Sequence, residues 1–313
     1  MLNRRSMIAA ALALGLIAPA AAQDSGTTKL PVVASFSILG DFAKEIGGDR
    51  VSVTTLVGPN GDAHVFQPAP ADAKKLAAAK VVFVNGLGFE GWIDRLVKAS
   101  GTKAKLVVAT KGVAPRQMEE EEGHDAHAHD DKHAHDHGET DPHAWQSVAN
   151  AKLYVANVRD GLIAADPAGK AVYEANAATY TAKLDTLDAR VKEAVAAIPE
   201  ANRRIITSHD AFGYFGAAYG IEFIAPQGVS TEAEASAKDV ARIIRQIKAE
   251  KIPAVFVENI SDPRLVDRIA KETGATIGGT LYSDALSDDK GPASTYIDMI
   301  QNNIRELSSA LSS

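Results

Sequence analysis

A chain of 313 residues with no cysteine and a formal net charge of −7 is already narrowed before any motif is read. Missing thiols exclude disulfides, thiolate metal sites and cysteine nucleophiles together, so a metal site here must be built from His, Asp, Glu and water. The acidic balance argues against nucleic acid as a partner and suits a cation.

Residues 1–22 read as a secretory signal peptide. Arg4 and Arg5 precede an apolar run from Ile8 to Ile17, and Ala20, Ala21 and Ala22 follow Pro19, so cleavage is expected after Ala22. The run is short for a transmembrane helix, no later segment is apolar for long enough to span a bilayer, and no cysteine is present to be acylated. The expectation is a soluble, exported chain in the periplasm, not embedded in a membrane, and a monomer. About 290 remaining residues suffice for two modest domains or one large one.

Val-rich runs at 30–36, 51–57, 81–84 and 106–109 predict strands, and 38–46, 69–79 and 92–99 predict helices between them. The alternation implies a parallel sheet covered by helices. At 148–162 the pattern becomes helical. Asp166 and Pro167 then offer an N-cap and a first-turn proline. Tyr173, Ala177, Tyr180, Leu184, Leu187, Val191 and Ile198 keep helical spacing up to Pro199, which predicts one amphipathic helix over 167–198. Such a helix is too long for an ordinary βα unit and can run along both halves of a molecule. Strands at 204–207, 222–225, 254–258 and 275–281 then alternate with helices at 237–249, 263–273 and 295–311. The predicted architecture is two α/β halves joined by one long helix. Its segments are a lobe over 23–146 that includes a histidine-rich loop at 118–140, a helical linker over 147–199, and a lobe over 200–313.

Histidine falls into two classes. His124, His127, His129, His133, His135 and His137 crowd an acidic stretch with no apolar residue larger than Ala, which has no core to bury and is expected to be a mobile loop. Histidine this dense marks metal binding, without one defined geometry, so these residues are expected to be weak auxiliary metal sites. The other class is His64 in Gly-Asp-Ala-His-Val-Phe-Gln-Pro, His143 in Asp-Pro-His-Ala-Trp, and His209 in Ser-His-Asp-Ala-Phe-Gly-Tyr. A lone histidine is more often a surface or capping residue than a ligand. These three, however, follow strands or loops, where parallel sheets place ligands, as does Asp284 after the last predicted strand. Asp62, Asp141 and Asp210 each flank one of them. Turn chemistry is expected for Asp62, while Asp141 and Asp210 are equally open to orienting an imidazole. Glu90, Trp92, Trp145, Phe212 and Tyr214 read as packing residues.

Taken in order, the segments 33–39, 61–68, 85–92, 141–145, 208–214, 228–238 and 281–286 resemble those of the metal-binding proteins of zinc and manganese ABC importers, the ZnuA-like group of cluster A-I (cluster 9). The resemblance covers nearly the whole mature chain. It implies two (β/α)4-like lobes with parallel sheets joined by a rigid helix, a metal site in the interlobe cleft, and no enzymatic activity. It assigns His64, His143 and His209 to the three histidine ligand positions and Asp284 to the carboxylate position. Manganese-selective members typically carry Glu at the position matching His209, and the histidine-rich insertion is typical of zinc members. Some zinc members carry a C-terminal cysteine pair that this chain lacks.

A shell of three imidazoles and one carboxylate suits Zn2+, whereas manganese prefers more oxygen and a higher coordination number. For the carboxylate, Asp288 and Asp289 lie close by in sequence, Glu258 ends a strand, and water could take the fourth place. The expected ligand is Zn2+ as cargo, with the permease of an ABC transporter as partner and a periplasmic metal chaperone as a further candidate partner. Rival functions are a stand-alone zinc buffer or chaperone, a manganese or iron importer component, and a zinc hydrolase. The hydrolase lacks support, because it needs an open position and a general base and the chain holds no His-Glu-x-x-His.

Overall fold

A computed structural model describes residues 28–117 and 140–312. The expected signal peptide and its cleavage point, and the expected auxiliary sites at His124, His127, His129, His133, His135 and His137, lie outside the described residues.

The first half runs β1 (Leu30–Phe36), α1 (Ser37–Gly47), β2 (Val51–Val57), α2 (Pro70–Ala78), β3 (Val81–Val84), α3 (Ile93–Ser100) and β4 (Lys105–Val108). A short antiparallel pair follows, β5 (Arg116–Gln117) with β6 (Thr140–Asp141), and then α4 (Val148–Ala165) and α5 (Lys170–Ala197). The second half runs β7 (Arg204–Ile206), α6 (Gly213–Tyr219), β8 (Glu222–Ile224), α7 (Ala237–Glu250), β9 (Ala254–Glu258), α8 (Arg264–Thr273), β10 (Thr276–Leu281) and α9 (Tyr296–Leu311).

Both main sheets are parallel, with strand orders β2-β1-β3-β4 and β8-β7-β9-β10. Counting strands within each half, the two orders are the same. Continuous apolar runs explain the central strands: all four residues of β3 are buried, as expected for a strand covered on both faces. One large core joins the halves, taking in Phe42 and Phe83 from the first, Tyr180 and Leu187 from α5, and Phe256 and Leu307 from the second. A smaller core, with Ile206, Ile243, Val255 and Ile269, lies between the second sheet and α7 and α8.

The predicted long helix is present as α5, and its stripe of Tyr173, Ala177, Tyr180, Leu184, Leu187 and Val191 is buried. It packs on α1 and α4 on one side and on α6 and α9 on the other, so it spans both halves. Its start differs from expectation. Residues Pro167–Gly169 form a single 3-10 turn, and the Asp166 carboxylate does not cap it. That carboxylate accepts instead from Arg50 Nε and Nη2 at 3.0 and 2.8 Å and from the Tyr173 hydroxyl at 2.7 Å. An ion pair to the first lobe has taken the oxygen that a cap would use.

Two elements escape the sequence pattern. The β5–β6 pair has two residues per strand, too few for a period to show. The short α6 carries Gly213 and Gly216, which weaken a helical signal. A Cβ at Gly216 would meet the Ile221 carbonyl oxygen at 2.5 Å, so the close approach of backbone demands glycine there.

Because α5 closes the shared core, Leu184→Ala should destabilise the whole protein by roughly 2–5 kcal/mol, the usual cost of emptying a fully buried leucine site. Denaturant unfolding of the metal-free protein would measure it, with the midpoint shifted and the slope kept.

Candidate metal centre

His64, His209 and Asp284 follow strands of the two parallel sheets, at the carboxyl edge where such sheets leave a crevice, and His143 follows the short antiparallel pair. His64 sits in the loop after β2, where Asp62 Oδ1 accepts from its backbone N–H at 2.9 Å, the expected turn. His143 follows β6. Asp141 Oδ1 accepts from the His143 backbone N–H and faces its Nδ1, both at 2.9 Å. His209 follows β7, where Glu258 Oε1 accepts from the backbone N–H groups of Ser208 and His209, both at 2.8 Å.

The four side chains converge. His64 Nε2 and His209 Nε2 each lie 3.2 Å from Asp284 Oδ2, His143 Nε2 lies 3.5 Å from Asp284 Oδ1, and His64 Nε2 lies 3.2 Å from His143 Nε2. All four donor atoms fall within 4.8 Å of one another. Metal–ligand bonds of about 2.0–2.1 Å in a tetrahedron put its corners about 3.3–3.4 Å apart. The donor set therefore encloses room for one divalent ion. His143, His209 and Asp284 are fully buried and His64 is 6% exposed, next to a cavity of about 570 Å3 lined also by Phe89, Thr140, Ser230 and Glu232. His64 is thus the member of the cluster nearest to solvent.

Electrostatics match a cation site. Burial alone would push His143 down, but Asp284 and Asp141 outweigh it and raise its pKa to about 9. At His209 burial is likewise outweighed, by Glu258 and Asp284, and the imidazole titrates well above its ordinary value. Asp284, which burial would push up, is held well below the carboxylate range by His143 and His209. Positive charge is wanted at this point, and protons compete with a metal for it.

Residues from the first half hold the Asp284 loop. Trp145 Nε1 and Gln146 Nε2 both donate to the Ser283 carbonyl, at 2.9 and 2.8 Å. The Leu286 backbone N–H donates to Ser37 Oγ at 2.9 Å, and the Leu286 carbonyl accepts from the Asn60 N–H at 2.8 Å. The His143 loop is secured by Asn85, whose Nδ2 donates to the Pro142 carbonyl at 2.9 Å and whose Oδ1 accepts from the Tyr154 hydroxyl at 2.6 Å. Glu90 folds that Asn85 turn by accepting from Ser35 Oγ and from the Asn85 and Gly86 N–H groups.

Asp284 rather than Asp288, Asp289 or Glu258 is the carboxylate among the histidines. Asp288 and Asp289 are exposed, and Glu258 lies behind His209 on its Nδ1 side. Of the flanking aspartates, Asp141 contacts an imidazole. Asp210 makes no hydrogen bond to an imidazole among the described residues; its backbone N–H donates to the Gly228 carbonyl. Trp92 and Trp145 pack as expected, Trp145 against Phe36 and Phe89, and each also donates an N–H, Trp92 to the Ala63 carbonyl at 2.7 Å. The clamp of Trp145 and Gln146 on Ser283 escapes the sequence reading, because a carbonyl acceptor has no residue signature.

A family described as zinc-uptake complex component A, periplasmic, matches residues 32–310. The chain is 34% identical over 295 residues to the manganese-binding lipoprotein MntA of Halalkalibacterium halodurans, with 93% of each covered. It is 33% identical to the iron-binding protein YfeA of Yersinia pestis, covering 88% of this chain and 84% of that one. Among solved structures, the periplasmic zinc-binding protein TroA of Treponema pallidum superposes with a TM-score of 0.82 at 29% identity, over 91% of this chain and 100% of the other. Among the described residues no helix is long and apolar enough to cross a membrane.

The shifts predict a pH signature. His143 has a folded pKa of about 9, above the unfolded value of about 6.5. Its contribution to stability is therefore complete below pH ~6.5 and is lost as pH rises through about 9. Melts of the metal-free protein should move to lower temperature across that window, and a saturating divalent metal should flatten the trend, because bound imidazole carries no competing proton. Equal slopes with and without metal would contradict this site.

Proposed function

Because this chain belongs to the family of zinc-uptake complex A proteins, periplasmic metal-binding components of ABC importers rather than enzymes, we propose that its cargo is Zn2+, captured between the lobes by His64, His143, His209 and Asp284 and delivered to the importer's permease. The observation that carries this reading is the donor set itself. Three imidazole nitrogens and one carboxylate meet within 4.8 Å, an N3O set that suits a borderline-soft d10 ion.

A second reading has an observation of its own. Both Asp284 oxygens face histidine nitrogens, Oδ2 toward His64 and His209 and Oδ1 toward His143. A carboxylate so placed can bind in bidentate fashion and raise the coordination number to five, which favours Mn2+ or Fe2+. Relatives named for manganese and iron support it.

Competition between metals separates the two. With a chelator setting the free ion concentration, Zn2+ should displace Mn2+ at far below equimolar concentration. Preferential loading of Mn2+ would move the assignment to the second reading. His64→Ala, His143→Ala and His209→Ala should each weaken tight binding by at least about 100-fold, beyond the loss typical of an outer partner. Asp284→Ala should cost less, since water can replace an oxygen ligand.

The tract histidines His124, His127, His129, His133, His135 and His137 supply a second, weaker class of zinc sites that raises the local ion concentration. Replacing His124–His137 by a short Gly/Ser linker should lower the number of zinc ions bound and leave the tight affinity nearly unchanged. Calorimetric titration of both forms would read this, and loss of the tight site on deletion would mean that one of these histidines is a ligand.

A further inference from the structure

We propose that Glu258 is a positioning residue for metal binding: its carboxylate holds the proton of His209 on Nδ1 and so keeps the Nε2 lone pair directed at the ion. The inference rests on the zinc-binding reading above and adds a residue outside the four ligands.

Three contacts define the role. Glu258 ends β9 and is 1% exposed. Its Oε1 accepts from two neighbouring backbone N–H groups, Ser208 and His209, both at 2.8 Å. Its Oε2 lies 2.6 Å from His209 Nδ1, off the line of an ideal ring N–H bond. At that separation a carboxylate oxygen and a nitrogen lone pair repel strongly, so Nδ1 must carry the proton. When an ion displaces the proton that Asp284 attracts to Nε2, 3.2 Å from its Oδ2, the neutral imidazole has its lone pair on that atom. Asp141 stands in the same relation to His143. No such partner reaches His64 Nδ1 among the described residues.

The arrangement is directional. Oε1 has two donors facing it and can only be an acceptor. If Glu258 were glutamine, the amide oxygen would keep that place and the amide nitrogen would face Nδ1. An NH2 group donates, so Nδ1 would have to accept and the imidazole proton would move to Nε2, where it blocks the metal. Turning the amide over would set NH2 against two backbone N–H groups instead. A near-isosteric change at a residue that does not touch the ion should therefore disable one of its ligands.

The test is zinc affinity of wild type, Glu258→Gln and His209→Ala, measured by chelator competition, with melting of each metal-free protein as a check of folding. The expected result is a loss of at least about 10- to 100-fold in Glu258→Gln, the range for removing the outer partner of a metal-bound histidine, with a folded metal-free protein. Long-range nitrogen–proton NMR of metal-free protein supplies a second readout, which a merely structural role would leave alone. Nδ1 of His209 should be protonated in wild type and unprotonated in Glu258→Gln. Unchanged affinity in Glu258→Gln beside a large loss in His209→Ala would overturn the inference while leaving the zinc-binding reading intact. Unchanged affinity in both variants would overturn that reading itself. Should Glu258→Gln fail to fold, the zinc-loaded wild type supplies the test by the same nitrogen NMR: His209 should be protonated on Nδ1 and not on Nε2, and a His209 with the opposite pattern would also overturn the inference.

Discussion

Three imidazole nitrogens and a carboxylate gathered within 4.8 Å, almost wholly out of water, form an arrangement that a protein cannot hold for its own sake. Lone pairs at such separations repel, and a buried carboxylate needs a counter-charge. Either protons or a cation must sit among them, and the raised histidines and depressed Asp284 express that demand. Much of the surrounding structure opposes the tendency of these groups to part. The Asp284 loop is pinned through Ser283 and Leu286, the His143 loop through Asn85 and Asp141, and the His209 turn through Glu258. The preorganisation is what allows an ion to bind without first ordering its ligands.

The lobes explain how residues so far apart in sequence can meet. Each sheet has the same strand order, and each offers the carboxyl edge of its strands to the space between. His64 comes from the loop after β2 and His143 from just beyond β6, while His209 follows β7 and Asp284 follows β10. Every donor is thus delivered by a loop anchored to a rigid element, the usual division of labour in parallel-sheet proteins.

Much of this was legible in the chain. Short apolar runs gave the strands of both sheets to within a residue or two, and the 3-to-4 spacing of Tyr173 through Val191 gave α5, because burial on one face forces that period. The three histidines that converge with Asp284 stood out by contrast with the tract. What could not be read is equally specific. Glu258 is 49 residues from His209, and the pairing of β7 with β9 brings them together. The Ser283 carbonyl carries no side-chain signature. Asp166 reads as a helix cap because sequence shows what a carboxylate could do locally, not that Arg50, 116 residues earlier in the chain, would claim it.

One core running through both halves bears on whether the lobes are separable. The stripe of α5 is shared, and the final helix α9 packs on α1 as well as on α5 and β10. The chain's last segment therefore completes the packing of its first. Neither half, cut free near residue 199, would retain a closed apolar interior, since each would expose the face it now turns to the common helix. The molecule is in that sense one folding unit wearing the outline of two, and a gene fragment encoding a single lobe would yield a sticky, incomplete polypeptide rather than half of a receptor.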